Sequence, residues 1–487
     1  MSGRSAFDAV VVGGGPNGLA AAITLARAGR SVQLIEAEAT VGGGCRSAEL
    51  TLPGFVHDIC SAVYPLGIGS PFFSQLPLDR HGLRWIEPDI PLAHPLDDGA
   101  AILERDLQAT AARLGADGRA YLDVVGPAVR DWDVIIGDLA GPFRIPLTPR
   151  KLLAAARFGL RGFRSVESLG QRFRTPQARA LLAGCGAHSM LRLSEPLTGA
   201  FGLMFLASAH AVGWPIAAGG AQRLADALAG YLTELGGQIV TGRRVTSLEE
   251  LPPHRAVLLD LAPRQVIDLA GARLRSRLGG DWYLRQLRRF RYGPGAFKLD
   301  LALDGAIPWR DPNVRRAGTV HVGGTLEEVA AAEAAVADGT IAEQPFVLVA
   351  QQSLFDPARA PTGRHTAWAY CHVPNGSTVD MTDPILGQIE RFAPGVRDRI
   401  IAVSKLGPAG FERYDANYVG GDIAGGRPDI GQLFTRPAWR PDPYRTPDPA
   451  ILLCSSSTPP GAGVHGLCGW YAGRSALRSV LRAEDRA

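Results

Sequence analysis

The sequence predicts an α/β fold: a Rossmann-like dinucleotide-binding domain with an α+β lobe inserted into it. Three observations predict it. The β-branched run Ala9-Val10-Val11-Val12 ends directly on the glycine turn Gly13-Gly14-Gly15-Pro16-Asn17-Gly18. An alanine-rich stretch and a second apolar run ending on Glu36 follow, completing a βαβ unit of roughly thirty residues. The chain has 487 residues, more than one core sustains, since single cores stop growing near ~250–300 residues.

The first run is uncharged, as a parallel strand buried on both faces should be. Residues 19–28 read as a helix closed by Gly29, and Ser31-Val32-Gln33-Leu34-Ile35 as the second strand. From about Pro71 to Trp214 the pattern changes to helices with arginine-rich polar faces, such as 151–164 and 172–182, which open the second lobe. Gly219-Gly220, a helix over 221–235, a strand pair at 238–240 and 244–246 and a buried strand over 256–260 return to the nucleotide domain. Strand-like runs at 297–303 and 345–350 and a helix over 326–337 resume the lobe. Finally Ile451-Leu452-Leu453-Cys454 leads into another glycine turn and a last helix. The boundaries so read are 1–75, 215–290 and 420–487 for the dinucleotide domain, and 76–214 with 291–419 for the substrate-binding lobe.

Apolar residues make up 46% and charged residues 20%, an ordinary globular balance with disorder expected at the two ends. The 51 Lys plus Arg nearly cancel the 47 Asp plus Glu, and no block of one sign occurs, so nucleic acid is not an expected partner. Cys45, Cys60, Cys185, Cys371, Cys454 and Cys468 form no C-x-x-C pair, which points to reduced buried thiols rather than a redox dithiol or zinc cluster. The histidines show no H-E-x-x-H spacing, so no metal is expected, and the lack of G-x-S-x-G removes the hydrolase elbow. The residues ahead of the first strand are too few for a secretory signal, so a cytoplasmic location is expected. Residues 196–222 carry no Asp, Glu, Lys or Arg, yet Gly199, Gly202, His210, Gly213 and Pro215 favour a buried helix ending near Trp214 over a membrane span.

A strand running into Gly13-x-Gly15-x-x-Gly18 aims backbone N–H groups at a pyrophosphate, and the helix opening with Pro16-Asn17 adds the positive end of its dipole. Glu36 can accept hydrogen bonds from a ribose diol and would repel a 2′-phosphate, which disfavours NADP and leaves FAD and NAD. The turn Val41-Gly42-Gly43-Gly44-Cys45-Arg46-Ser47 shifts the choice to FAD: Gly43 and Gly44 add backbone amides, and Arg46 a partner for a phosphate or flavin oxygen. No second glycine fingerprint follows, since Val322-Gly323-Gly324 and Tyr418-Val419-Gly420-Gly421 lack the spacing. Electrons are therefore expected to pass directly between flavin and substrate, with the electron donor or acceptor beyond them left open.

Together these motifs resemble the N-terminus of the phytoene desaturase-like flavoproteins, within the broader amine-oxidase-like group. Residues 453–466, Leu-Cys-Ser-Ser-Ser-Thr-Pro-Pro-Gly-Ala-Gly-Val-His-Gly, look like that group's terminal flavin-binding motif, and the segment from Trp214 to Gln222 like its re-entry into the FAD domain. The resemblance spans nearly the whole chain. It implies a discontinuous FAD domain, with Ser457, Gly463, Val464, His465 and Gly466 in the flavin-binding turn. Gly463, Val464 and His465 would lie beside the pyrimidine ring, where a helix N-terminus stabilises the reduced anion. It also implies Val245 at the adenine and His57-Asp58-Ile59-Cys60-Ser61 near the flavin. Three residues are catalytic candidates: His465, acting by its imidazole or by its backbone alone, and His372 and Tyr64, each with a structural role as the alternative.

The expected function is an FAD-dependent oxidoreductase acting on a hydrophobic unsaturated molecule (an isoprenoid, polyene or lipid). Hydride transfer at flavin N5 would give desaturation, saturation or double-bond isomerisation. Phe201-Gly202-Leu203-Met204-Phe205-Leu206 suits an apolar tunnel wall and equally a core helix. Two alternatives stay open. One is a flavin amine oxidase, for which Lys298 and Lys405 are the lysines to examine; the other is a non-catalytic flavin-binding scaffold. Peripheral membrane contact is a further expectation, attached to the Pro- and Arg-rich segment 435–449.

Overall fold

Because Ala9 to Val12 offer only apolar side chains to either face, their strand can sit only where both faces are covered. In the computed structural model, which describes residues 6–139, 141–142 and 148–482, Phe7–Val12 is the central strand of a five-stranded sheet. The order across it is Ile451–Leu453, His254–Leu259, Phe7–Val12, Val32–Ile35, Gln238–Val240, and every pairing is parallel. One face packs on the helices Pro16–Arg27, Gln222–Glu234 and Leu467–Arg478, the other on Pro263–Arg275 and Gly280–Arg288. The carboxyl ends of the strands therefore open on one crevice, where ligands of such sheets bind.

A second, seven-stranded mixed sheet runs Ile400–Leu406, Gly295–Leu303, His365–Val373, Val347–Ala350, Ala317–Val322, Ile90–Leu96, Gly99–Leu103. One face packs on Pro176–Ala187, Thr198–Ala211 and Leu326–Ala337. Thr325 opens the last of these with a capping box, its hydroxyl accepting from Glu328 N while the Glu328 carboxylate accepts from Thr325 N.

Several sequence expectations need correction here. The hairpin at 90–103 falls in the stretch read as helical; Pro91 and Pro95 argue locally against an interior strand, and the partners that make it one lie more than two hundred residues away. Residues 244–246 form no strand, and line a cavity instead. The helix read as 172–182 begins at Pro176, where the Thr175 hydroxyl accepts from Ala178 N. The uncharged segment forms the helix Thr198–Ala211, ended by Gly213 at φ +87°. Among the described residues no helix is long and apolar enough to cross a membrane, and all six cysteines are buried free thiols. Residues 1–5 and 483–487, at the ends where disorder is expected, lie outside the described residues.

Candidate cofactor and substrate site

The crevice is built around the first glycine turn. Gly13 has φ +104°, and a Cβ there would stand 2.9 Å from the Asp260 carbonyl and Cβ. At Gly18 a Cβ would fall 2.0 Å from the Gly13 carbonyl oxygen, so helix and turn can touch only through glycine. Pro16 takes the first helical position, Gly15 caps the helix without a side chain, and its first turn carries no acid. These amides and the helix dipole make an anion site. Asp260, at the carboxyl end of the neighbouring strand, accepts a hydrogen bond from Gly18 N at 2.8 Å. Burial pushes its carboxyl up to about 8, and Asp415 and Glu36 push the same way against the Gly18 amide. The buried acid is therefore neutral over much of the pH range, and a neutral carboxyl tolerates a neighbouring phosphate.

Two cavities meet at this turn. The first, about 300 Å³, is lined by Gly13, Gly14, Glu36, Arg46 and the 243–246 segment with Val245. Glu36 Oε2 accepts from Gly14 N at 2.6 Å, and Oε1 from Glu38 N at 2.8 Å and Arg46 Nη2 at 3.3 Å. Much of the Glu36 carboxylate's capacity thus serves to brace the turn. The second cavity, about 290 Å³, runs from Pro16, Asn17 and Gly44 past Tyr64, Gly463 and Val464. It ends among Phe205, Trp214, Leu348, Ala350, Trp368 and Tyr370 of the inserted lobe. The two share Gly15, Gly43, Asp260, Asp415 and Asn417, so one elongated ligand can reach from the glutamate to the aromatic end.

The sequence-predicted residues divide accordingly. Gly13, Gly15, Pro16, Asn17, Glu36, Gly43, Gly44, Arg46, Val245, Gly463 and Val464 all line one or both cavities, and Gly18 braces the turn through Asp260. Ser457 does not line either; its neighbour Ser456 does, while Ser457 offers its carbonyl to Arg436 Nε at 3.3 Å. Gly466 caps the last helix at φ +69°, away from both cavities. Tyr64 lines the second cavity, but its hydroxyl donates to the Ser61 carbonyl at 3.0 Å, and burial raises its phenol far above the ordinary range.

The two histidine candidates stand apart. His372 lines neither cavity and is held by Glu333 Oε1, 2.8 Å from Nδ1. His465 faces a third cavity of about 200 Å³, its Nδ1 accepting from Leu467 N at 3.0 Å and its carbonyl accepting from Ser70 Oγ at 2.7 Å. Burial pulls its imidazole down to about 4, against the Ala462 carbonyl. Its side chain closes the turn by accepting from the Leu467 amide. The candidate lysines are also committed elsewhere: buried Lys298 pairs with Asp300, and exposed Lys405 with Asp380.

Sequence reading missed several lining residues. Asp260 ends a strand whose carboxyl end must face the crevice, and that topological rule could have found it. His188 lines both the second and third cavities, stacks on Phe205 at 4.3 Å and sets Nε2 3.0 Å from His321 Nε2. No local signal marks His188, Thr319 or Trp368; helix and sheet packing bring them to one wall.

Residues 11–74 match the NAD(P)-binding Rossmann-like domain family. The chain is 25% identical, over 98% of its own length and 93% of the relative's, to pyridine nucleotide-disulfide oxidoreductase domain-containing protein 2 of Rattus norvegicus. Among solved structures it is similar to an oxidoreductase from Methanosarcina mazei, with TM-score 0.64 and 15% identity over 96% of this chain and 99% of that one. It is also similar to a double mutant of putrescine oxidase, with TM-score 0.60 and 16% identity over 98% and 99% of the two chains. The fold is thus α/β, a Rossmann-like domain in the architecture shared by the amine oxidase-type flavoproteins.

Proposed function

We propose that the chain is an FAD-dependent oxidoreductase acting on a hydrophobic, unsaturated substrate of the isoprenoid, polyene or lipid class, in the manner of phytoene dehydrogenase-like enzymes. One observation carries the reading: the cavity that begins at the glycine turns continues without a break into an apolar, aromatic-walled space in the inserted lobe.

The residues fit FAD. Glu36 and Val245 border the space for the adenosine end, the Gly13–Gly18 turn and the helix behind it would take the pyrophosphate, and Gly44, Tyr64, Gly463 and Val464 would bound the isoalloxazine. Once bound, FAD supplies hydride transfer at N5, the chemistry common to desaturation, saturation and double-bond isomerisation. Phe205, Trp214, Leu348 and Tyr370 would hold the reacting carbons and keep water from them. Of the lysines an amine oxidase would call on, Lys405 is exposed and pairs with Asp380, and Lys298, behind the cavity-lining Trp368, pairs with Asp300.

Peripheral membrane contact belongs to the same proposal. Leu152, Leu153 and Leu160 of the helix Pro149–Gly162 are exposed, as is Phe163 at its end, which stacks on Phe434 of the third cavity with ring centroids 6.5 Å apart.

Anaerobic incubation of the FAD-loaded protein with fractionated lipid extracts tests the reading. A fraction that bleaches or reoxidises the flavin, or whose double bonds change, is expected. A flavin inert to every fraction and to a panel of amines would instead favour the scaffold alternative.

A further inference from the structure

The second cavity's floor is one face of the seven-stranded sheet. Thr319, Ala350 and Trp368 form a row across three neighbouring strands, because Thr319 pairs with Ala350 and Ala350 with Trp368. All three line the cavity. The two outer members carry polar atoms with no hydrogen-bond partner: Thr319 Oγ1, in a residue 4% exposed, and Trp368 Nε1, in a residue 9% exposed. Buried polar groups are nearly always satisfied, and each exception calls for an explanation.

No nearby protein group supplies one. The row is paired in the sheet ladder, and the Trp368 ring lies against Tyr370, ring centroids 4.9 Å apart, with Lys298 Nζ 6.0 Å from its centroid. Alanine at the middle position leaves open floor between the two polar atoms. Two strand spacings separate the outer Cα atoms by about 10 Å.

We propose that Thr319 and Trp368 form an oxygen-recognition subsite, so that the substrate is an apolar chain bearing a hydroxyl or carbonyl oxygen rather than a plain hydrocarbon. The proposal rests on the reading of the second cavity as a substrate site. The ligand oxygen accepts from Trp368 Nε1–H. Thr319 completes the pair, its hydroxyl donating to a carbonyl, or donating to or accepting from a hydroxyl. The apolar walls hold the rest of the chain, and the few polar groups fix which way round it lies.

Farnesol and farnesene share a fifteen-carbon skeleton, and farnesene, the dehydration product, carries one more double bond and no oxygen, so their binding to the FAD-loaded, full-length protein by equilibrium dialysis is the test. Wild type should prefer farnesol about tenfold, since one net hydrogen bond is worth roughly 2- to 12-fold in affinity. Thr319→Val and Trp368→Phe should each weaken farnesol binding by about 3- to 5-fold. The double variant should lose the preference while still binding farnesene.

Thr319→Val should melt at or above the wild-type temperature, because the hydroxyl it removes makes no internal bond; a clear drop would mean that hydroxyl is bonded within the protein and would overturn the subsite. Equal binding of the two probes by wild type, or a full preference surviving in the double variant, also overturns it while leaving the apolar-substrate reading standing. Binding of neither probe overturns both.

Discussion

Asp260→Asn is the substitution whose effect the site geometry specifies most closely. The Asp260 carboxyl is buried, accepts from the Gly18 amide, and faces Asp415 and Glu36; burial and those two acids raise it from its ordinary 3.8 to about 8. A carboxyl raised on folding contributes stability that is fully present below pH 3.8 and lost as the pH rises from there through about 8, because the unfolded chain ionises it freely while the folded chain resists. A tenfold change in acidity corresponds to about 1.4 kcal/mol. The loss is therefore on the order of 5 kcal/mol, an upper bound because Asp260 borders both cavities.

Asparagine copies the neutral acid: it keeps an oxygen for Gly18 N and carries no charge at any pH. Thermal denaturation of the cofactor-free protein near pH 4.5 and pH 8.5 reads the difference. Wild type and variant should agree within about 1 kcal/mol at the lower pH, and the variant's advantage should be larger by at least ~2 kcal/mol at the higher one. The gap at the higher pH should widen on FAD loading, because a bound phosphate that holds Asp260 neutral raises its carboxyl still further. Superposable pH dependences would refute the assignment of Asp260 as a buried neutral acid at the phosphate turn.

Gly18→Ala puts a methyl group 2.0 Å from the Gly13 carbonyl oxygen, so it should destabilise by about 1–3 kcal/mol and weaken FAD binding at least tenfold, read by calorimetry. His465→Asn preserves an acceptor for Leu467 N; turnover within a few fold of wild type is expected, whereas a loss of ~10²–10⁴-fold would make the imidazole a proton carrier after all. Replacing Leu160 and Phe163 with glutamate should abolish cosedimentation with anionic lipid vesicles without changing FAD content, and unchanged cosedimentation would remove the membrane proposal.

What could be read from the sequence was what neighbouring residues decide. The run Ala9 to Val12, the glycine turn and Glu36 constrain one another over a few tens of residues, and the parallel sheet follows from them. Pro91 and Pro95 concealed a strand whose place depends on pairing with residues 317–320. At the terminal turn, residue identity pointed to the right loop but not to the right side chains: Ser456 rather than Ser457 faces the cavity. His465 looked titratable because histidine usually is, yet its ring closes its own turn and burial keeps it neutral. The substrate wall was the least legible part. Thr319 and Trp368 share it through strand register, and His188 reaches it from a helix packed across the sheet, neither of which leaves a motif.

The central claim is that one cavity system, opening at the Gly13–Gly18 turn, holds FAD. Calorimetric titration of the cofactor-free chain with FAD, and separately with NAD, tests it most directly. The account predicts saturable binding of one FAD per chain, a bound-flavin absorption spectrum, and NAD at least a hundredfold weaker. NAD binding as tight as FAD, or no saturable FAD binding at all, would contradict it.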